Sequence, residues 1–175
     1  LGAHPIPVLK ARVKDFDAVH SPHFSAYGSI PATLHYHAGV EATLFTNWLN
    51  DEQLARMHET EVSAENYHYV RIDGITLDIA FGARLTSVYA YISSRGALCH
   101  DGKPLGLAAV STTGRAWPEI SQNGVQALAR DRLSPGTALE VFITENVDKI
   151  ETRRARIKQL AQDALPFGYP ATRIQ

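Results

Sequence analysis

The sequence is short of cysteine, of long apolar runs and of net charge, and each shortage excludes a class of protein. A single cysteine, Cys99, rules out an internal disulfide and fits a reducing compartment, where we expect it as a buried thiol. No apolar run reaches the roughly 18 residues that a membrane-spanning helix needs. A net charge of −1 gives no reason to expect nucleic acid or an anionic membrane as a partner.

What the chain does contain is an ordinary globular composition. With 175 residues, 45% of them apolar and 20% charged, it is long enough for one domain with a substantial core. We expect a single domain over 1–175, with an extended and partly irregular segment over 1–22 and a C-terminal helix over 145–165. No basic stretch followed by an apolar core opens the chain, so we expect no signal peptide and a cytoplasmic protein.

Short strands are predicted in the first part of the chain. Period-two alternation, or β-branched and aromatic residues next to turn residues, predicts strands over 24–27, 41–49, 67–73 and 86–92. Asp73-Gly74 is predicted to open a hairpin, and His100–Pro104 is predicted to be a turn.

Helices follow the strands for the most part. Asn50 stands where a helix N-cap would, and the short helix after it should end near Glu59 to Glu61. Apolar residues recur at helical spacing from Ser121 until Ser134. Strands first and helices later predict an α+β fold, with a small mixed or antiparallel, barrel-like sheet and flanking helices.

Two segments have the residue types for chemistry. Tyr27-Gly28-Ser29-Ile30 follows a predicted strand, and a glycine there would let backbone N–H groups approach a carboxylate. Glu61 follows a short helix, from which its side chain could reach a cleft at the end of the sheet. Partial burial would favour the protonated carboxyl, so that Glu61 could transfer protons near neutral pH.

These segments, together with others in the same order, resemble the gamma-glutamylcyclotransferase-like family. The resemblance covers roughly 24–135, and its order carries more weight than any single short match. It rests on Tyr27-Gly28-Ser29-Ile30, Thr46-Asn47-Trp48-Leu49, Met57-His58-Glu59-Thr60-Glu61, Tyr67-His68-Tyr69-Val70-Arg71, Val88-Tyr89-Ala90-Tyr91 and Leu105-Gly106-Leu107-Ala108-Ala109.

The resemblance implies an enzyme that acts on a gamma-glutamyl-type amide without a metal or other cofactor. The loop from Tyr27 to Ile30 would hold the glutamyl group through backbone contacts, and Glu61 would be the general acid and base. The substrate's own amine would attack its gamma-carbonyl, which releases 5-oxoproline and an amine. The residues implied as substrate-binding are Tyr27, Gly28, Ser29, Ile30, Tyr67, Tyr69 and Tyr91.

Two other classes of function stay open. The chain could be a binding module that keeps the pocket of this fold without the chemistry. It could instead bind a metal, because His35 and His37 would share one side of a strand and His20 and His23 lie three apart. Since no third ligand stands at a recognisable spacing, we expect these histidines to be exposed at loops and strand ends. Exposed strand edges also leave room for a homodimer.

Overall fold

A computed structural model describes residues 5–61, 66–79 and 82–174, and the side chain of Glu61 lies outside this description. The fold is α+β, with a mostly antiparallel sheet and, in the described residues, four α-helices. The elements are β1 Val8–His20, β2 Ala32–Asn47, α1 Asp51–Glu61, β3 Tyr67–Ile79, β4 Arg84–Ser93, β5 Cys99–His100, β6 Lys103–Pro104, β7 Gly106–Leu107, β8 Thr112–Thr113, β9 Glu119–Ile120, α2 Gln122–Leu133, α3 Leu139–Asp148, α4 Ile150–Leu160 and β10 Thr172–Arg173.

The sheet is built around the long β1–β2 hairpin. Its order is β10-β3-β1-β2-β8, and β4 pairs with β3 while β7 joins β1 to a parallel β9. A bulge interrupts the hairpin where Phe16 stands opposite both Tyr36 and Glu41. At this bulge Asp15 adopts a positive φ, and its carboxylate accepts a hydrogen bond of 2.8 Å from the Gly39 amide. The extra residues of β2 carry His37 out of the ladder.

Several predicted elements are confirmed. Helix α1 begins after Asn50, whose side chain accepts from the Gln53 amide at 2.9 Å while Gln53 reaches back to the Asn50 amide at 3.0 Å. This reciprocal pair satisfies two backbone donors at the helix start. Ser121 caps α2 in the same region where the sequence places a helix start. Cys99 is buried, and burial raises the pKa of its thiol.

Three predictions about local structure are wrong. Residues 24–27 are not a strand, because 25–28 form a turn in which the Ser25 hydroxyl and carbonyl accept from the amides that follow. Gly74 lies inside β3 with φ 75°, since Ile75, Leu77 and Ile79 continue the strand into the core. The helix expected over 145–165 is divided at Lys149 into α3 and α4.

Within the segment expected over 1–22, Val8–His20 is extended as predicted, but it is a regular strand, β1, and so is less irregular than expected. The second half of β1 is buried on both faces, which is why its backbone pairs fully with neighbours.

The core has two parts. One cluster packs the inner face of β1, β3 and β4 beneath the C-terminal tail, and it includes Phe16, Ile72 and Leu77. The other packs α2, α3 and α4 against the segment after β1, and it includes Phe24 and Phe142. None of the described helices is both long enough and apolar enough to cross a membrane.

Candidate functional site

The outer face of the β3–β4 hairpin gathers tyrosines beneath helix α1. The register places Tyr69 opposite Tyr91, and Tyr89 is the next residue of β4 on that face. Tyr69 lies parallel to Tyr89 with ring centroids 5.5 Å apart. We call Tyr69, Tyr89 and Tyr91 the tyrosine face.

His58, in the last turn of α1, joins that helix to the tyrosine face. Its ring lies edge-on to Tyr69 with centroids 4.7 Å apart, and its Nδ1 is 2.8 Å from the Tyr91 hydroxyl. The backbone of Glu61 follows His58 by about one helical turn. Burial, with a smaller effect from Tyr89, raises the pKa of Tyr69, so its hydroxyl stays protonated at neutral pH.

Tyr67 makes different contacts from the three residues of the tyrosine face. Its ring is buried against His23, with centroids 5.3 Å apart. Its hydroxyl donates to the carbonyl of Ala32 at 2.7 Å. This hydrogen bond fastens the start of β3 to the start of β2, which accounts for the residue structurally.

The loop from Tyr27 to Ile30 packs on the helices, and three of its backbone amides donate hydrogen bonds to the neighbouring Ser25. The amides of Tyr27 and Ser29 donate to the Ser25 hydroxyl at 3.2 and 3.1 Å, and the Gly28 amide donates to the Ser25 carbonyl at 3.1 Å. The Tyr27 side chain is 89% exposed. These three amides are therefore not directed at a ligand in this structure.

Ile30 and Gly28 are held by helices α2 and α3. Ile30 is buried. The side-chain amide of Gln122 is oriented to bond both the N–H and the C=O of Ile30, and its oxygen accepts from the Ile30 N–H at 2.7 Å. Gly28 has φ 78°, and an added Cβ would lie 2.8 Å from the Ile143 side chain. A glycine is required there because α3 packs directly on the loop.

Two buried polar clusters border β1, and the sequence patterns did not reveal either. The first, the Asp17 cluster, surrounds a carboxylate that has no exposed surface. Arg115 binds both oxygens of Asp17 at 2.8 Å, Trp117 donates to it at 3.0 Å and Thr112 donates at 2.9 Å. Four charge-assisted hydrogen bonds thus tie the 112–117 segment to the sheet.

The second, the Ser21 cluster, is neutral. The Ser21 hydroxyl lies 2.7 Å from His23 Nδ1 and donates to the Ser93 hydroxyl at 2.9 Å. Burial, with a smaller effect from the Arg95 charge, lowers the pKa of His23 to about 4. His23 is therefore uncharged at neutral pH. A Ser-x-His triplet at 21–23 was the only trace of this cluster in the sequence.

The histidines are less exposed than expected. His20, His23 and His35 are all buried, so the expectation of exposed loop and strand-end residues is wrong for them. His20 and His35 lie where the second half of β1 pairs with the start of β2, and His23 packs on Tyr67. His35 and His37 do share one side, since both rings contact Trp117, with centroids 6.1 and 4.9 Å away. Within the described ranges, no three His, Cys, Asp or Glu side chains are arranged to hold a metal ion.

A cleft of about 480 Å³ opens on the inner face of the β3–β4 hairpin, on the side opposite the tyrosine face. Its walls are the hairpin, the turn after β4 and the C-terminal tail over 164–171, and we call it the tail cleft. His68 and Ile92, which stand opposite each other in the register, line it together with Arg95 and Phe167.

The structure thus brings Tyr69 and Tyr91 together with the end of α1 and leaves Tyr67 in a separate contact. It places the loop from Tyr27 to Ile30 against α2 and α3. Comparison of the chain with protein-family models, with curated proteins and with solved structures found no match in any of the three. Any assignment of function therefore rests on the residues and their geometry.

Proposed function

We propose that this chain is a gamma-glutamylcyclotransferase-like enzyme, with a barrel-like sheet of that fold, and that Glu61 is its general acid and base. The observation that carries the proposal is the attachment of α1 to the tyrosine face through His58, at 2.8 Å from the Tyr91 hydroxyl. This contact fixes the end of the helix that bears Glu61. A carboxyl group and two phenols are the groups that the proposed reaction needs in one place.

The reaction proposed is an intramolecular aminolysis of a gamma-glutamyl amide. Glu61 takes a proton from the substrate's alpha-amine as that nitrogen bonds to the gamma-carbonyl carbon. The carbon–nitrogen bond to the leaving amine then breaks, and Glu61 returns the proton to that amine. The products are 5-oxoproline and a free amine. Much of the acceleration comes from proximity, because nucleophile and carbonyl belong to one molecule.

The tyrosine face has a defined part in this proposal. Tyr69 donates a hydrogen bond to the carbonyl oxygen as negative charge develops on it, and Tyr91 donates a second one while its oxygen accepts from the His58 Nδ1–H. The Tyr69 hydroxyl is protonated at neutral pH, as a donor must be, and its raised pKa extends this state to more alkaline pH. Tyr89, 52% exposed, forms the outer border where the glutamyl chain would enter.

A non-catalytic small-molecule-binding module of the same fold is the second candidate. The observation that favours it is the state of the loop from Tyr27 to Ile30, whose amides already have partners in Ser25 and Gln122. A cyclotransferase of this family would use those amides for its substrate. The cyclotransferase proposal therefore requires the loop to exchange its own hydrogen bonds for bonds to the substrate.

The test is the release of 5-oxoproline from a panel of gamma-glutamyl amides. We expect release by the wild type and a loss of at least about a hundredfold in Glu61→Gln, which keeps the shape but removes the base. Glu59→Gln is the matched control, because Glu59 lies on the same helix and is exposed. Tyr91→Phe should lower the rate by a smaller factor.

Each outcome separates the candidates. Release that is unaffected by Glu61→Gln would remove Glu61 from the mechanism. No release by the wild type from any amide of the panel, together with saturable binding of one of them, would favour the binding module. Equal losses in Glu59→Gln and Glu61→Gln would point to damage to helix α1 and would contradict a specific role for Glu61.

A further inference from the structure

The tail cleft is preformed by contacts at both ends of the C-terminal tail. Leu165 exchanges backbone hydrogen bonds with Ala97 at 2.8 and 3.0 Å, and the Phe167 carbonyl accepts from the Tyr36 amide at 3.0 Å. At the far end β10 pairs with β3. A cavity held open in this way needs little ordering to bind a ligand. Its volume of about 480 Å³ falls in the range of small-molecule sites.

The inner wall of the tail cleft is apolar and aromatic. Phe167 and Tyr169 line it and pack on Phe16, with ring centroids 5.9 and 5.1 Å apart. Val70 and Ile92 line the opposite wall from the sheet. A ligand that fills this wall must present an aromatic or branched aliphatic group.

Among the described residues, the lining of the tail cleft carries positive charge and no negative charge. None of the described residues that line it is acidic, and Arg95 is among them. Arg95 donates to the neutral side chain of Asn66 at 2.7 Å. A second cation, Arg173, lies near enough to His68 to contribute, after burial, to the lowered pKa of that histidine. A guanidinium beside an apolar cavity, with no acidic residue among the described residues of the lining, favours an anionic ligand.

We infer that the tail cleft binds a small carboxylic acid with an aromatic or branched aliphatic body, and that Arg95 holds its carboxylate. The planar guanidinium matches a carboxylate in two parallel hydrogen bonds, while the aromatic wall takes the apolar body. This site is separate from the one proposed for Glu61, since it opens on the other face of the β3–β4 hairpin.

The experiment titrates the full chain with 3-phenylpropionate and 4-methylpentanoate, each beside its neutral amide, by calorimetry and by backbone amide NMR shifts. We expect saturable binding of at least one acid, with shifts at residues 93–96 and 164–171, and at least about tenfold weaker binding of its amide. Arg95→Gln should weaken binding of the acid about tenfold or more, as expected for a charge-assisted hydrogen bond.

Arg71→Gln is the matched control, because Arg71 lies on the other face of the same hairpin and pairs with Asp73 at 2.9 Å. It should bind the acid like the wild type, and so should Glu61→Gln, which separates this inference from the proposed enzyme. Ala171→Trp, which adds bulk from the tail into the cleft, should abolish binding.

Three results would overturn the inference. They are the absence of saturable binding of either acid, equal affinity of acid and amide, or unchanged affinity in a folded Arg95→Gln variant. The comparison of acid with amide uses only the wild-type protein. It therefore still tests the inference if the Arg95→Gln variant does not fold.

Discussion

The Asp17 cluster and the Ser21 cluster lie against the same strand, and each buries polar groups. The first stabilises a buried ion pair with hydrogen bonds, whereas the second contains no charge. Asp17 is charged, and Arg115, Trp117 and Thr112 satisfy both of its oxygens. The Ser21 cluster contains no formal charge at neutral pH, because the pKa of His23 is lowered to about 4. A buried carboxylate is stable only when hydrogen-bond donors compensate for its lost hydration. A buried imidazole does not incur this desolvation cost when it loses its proton and becomes neutral. The first cluster should be sensitive to substitution and the second to pH.

The largest expected effect comes from removing the carboxylate of the first cluster. Asp17→Ala leaves the Arg115 guanidinium, only 7% exposed at its side chain, without its buried partner. We expect a loss of about 3–5 kcal/mol in the free energy of unfolding, measured by urea denaturation. The control is Asp78→Ala, which breaks ion pairs to the exposed cations Arg84, Arg12 and Lys14 and should cost less, because water can solvate those cations once the carboxylate is gone. Equal losses in the two variants would contradict a special role for the Asp17 cluster.

The second cluster should make the protein less stable in mild acid. The folded pKa of His23 is about 4 against 6.5 in the unfolded chain, so the unfolded state gains a proton first as the pH falls. The stability that neutral His23 contributes is therefore complete above pH 6.5 and is lost progressively toward pH 4. The loss from this group is about 3 kcal/mol.

Urea denaturation at pH 7, 5.5 and 4.5 measures this dependence. His23→Asn keeps a polar group near Ser21 but does not titrate, so its stability should change less over the same interval. Other groups contribute to the slope that remains, since burial also lowers the pKa values of His20 and His35, and hydrogen bonds from Arg84 and Lys149 lower those of Asp78 and Glu145. A variant with the slope of the wild type would remove His23 from the explanation.

A glycine with positive φ lies close in the chain to each cluster, Gly114 before Arg115 and Gly96 three residues after Ser93, and its replacement should have an effect of intermediate size. An added Cβ at Gly114 would meet the carbonyl oxygen of Gly39, and one at Gly96 would meet that of Leu165. Gly136 and Gly102 have positive φ with no atom nearby, so they serve as controls. We expect alanine to cost about 1–2 kcal/mol at the controls and at least about 1 kcal/mol more at Gly114 and Gly96. Thermal denaturation of the four variants compares them directly, and equal costs would show that the close approaches relax freely.

The smallest effect is expected outside both clusters, at the tyrosine face. Tyr91→Phe removes the hydrogen bond to His58, which is only partly buried, and should cost about 1 kcal/mol or less. A loss as large as that of Asp17→Ala would mean that helix α1 depends on this one contact. The same variant serves in the 5-oxoproline assay, where its effect on rate is read separately from its effect on stability.

The local elements show how far the sequence leads. Helix α1 was predictable because Asn50, Asp51 and Glu52 place a cap and acidic residues at its start. The strands β3 and β4 were predictable from their residue pattern, and alternation within β4 also set Tyr89 and Tyr91 on one face. That Tyr69 stands opposite Tyr91 was decided by the strand register. The hairpin predicted at Asp73-Gly74 was wrong, because this dipeptide favours a turn conformation whether or not the strand continues beyond it.

What the sequence by itself determined is local: caps, alternation, the stop after α2 and the α+β class. Only the tertiary structure decided which polar residues are buried together. Asp17 and Arg115 are about a hundred positions apart in the chain, and no spacing rule joins such residues. The same holds for Arg95 and the tail that forms its cleft. The physical reason is that burial and pairing depend on which strands become neighbours, and that choice is made by the packing of the whole domain.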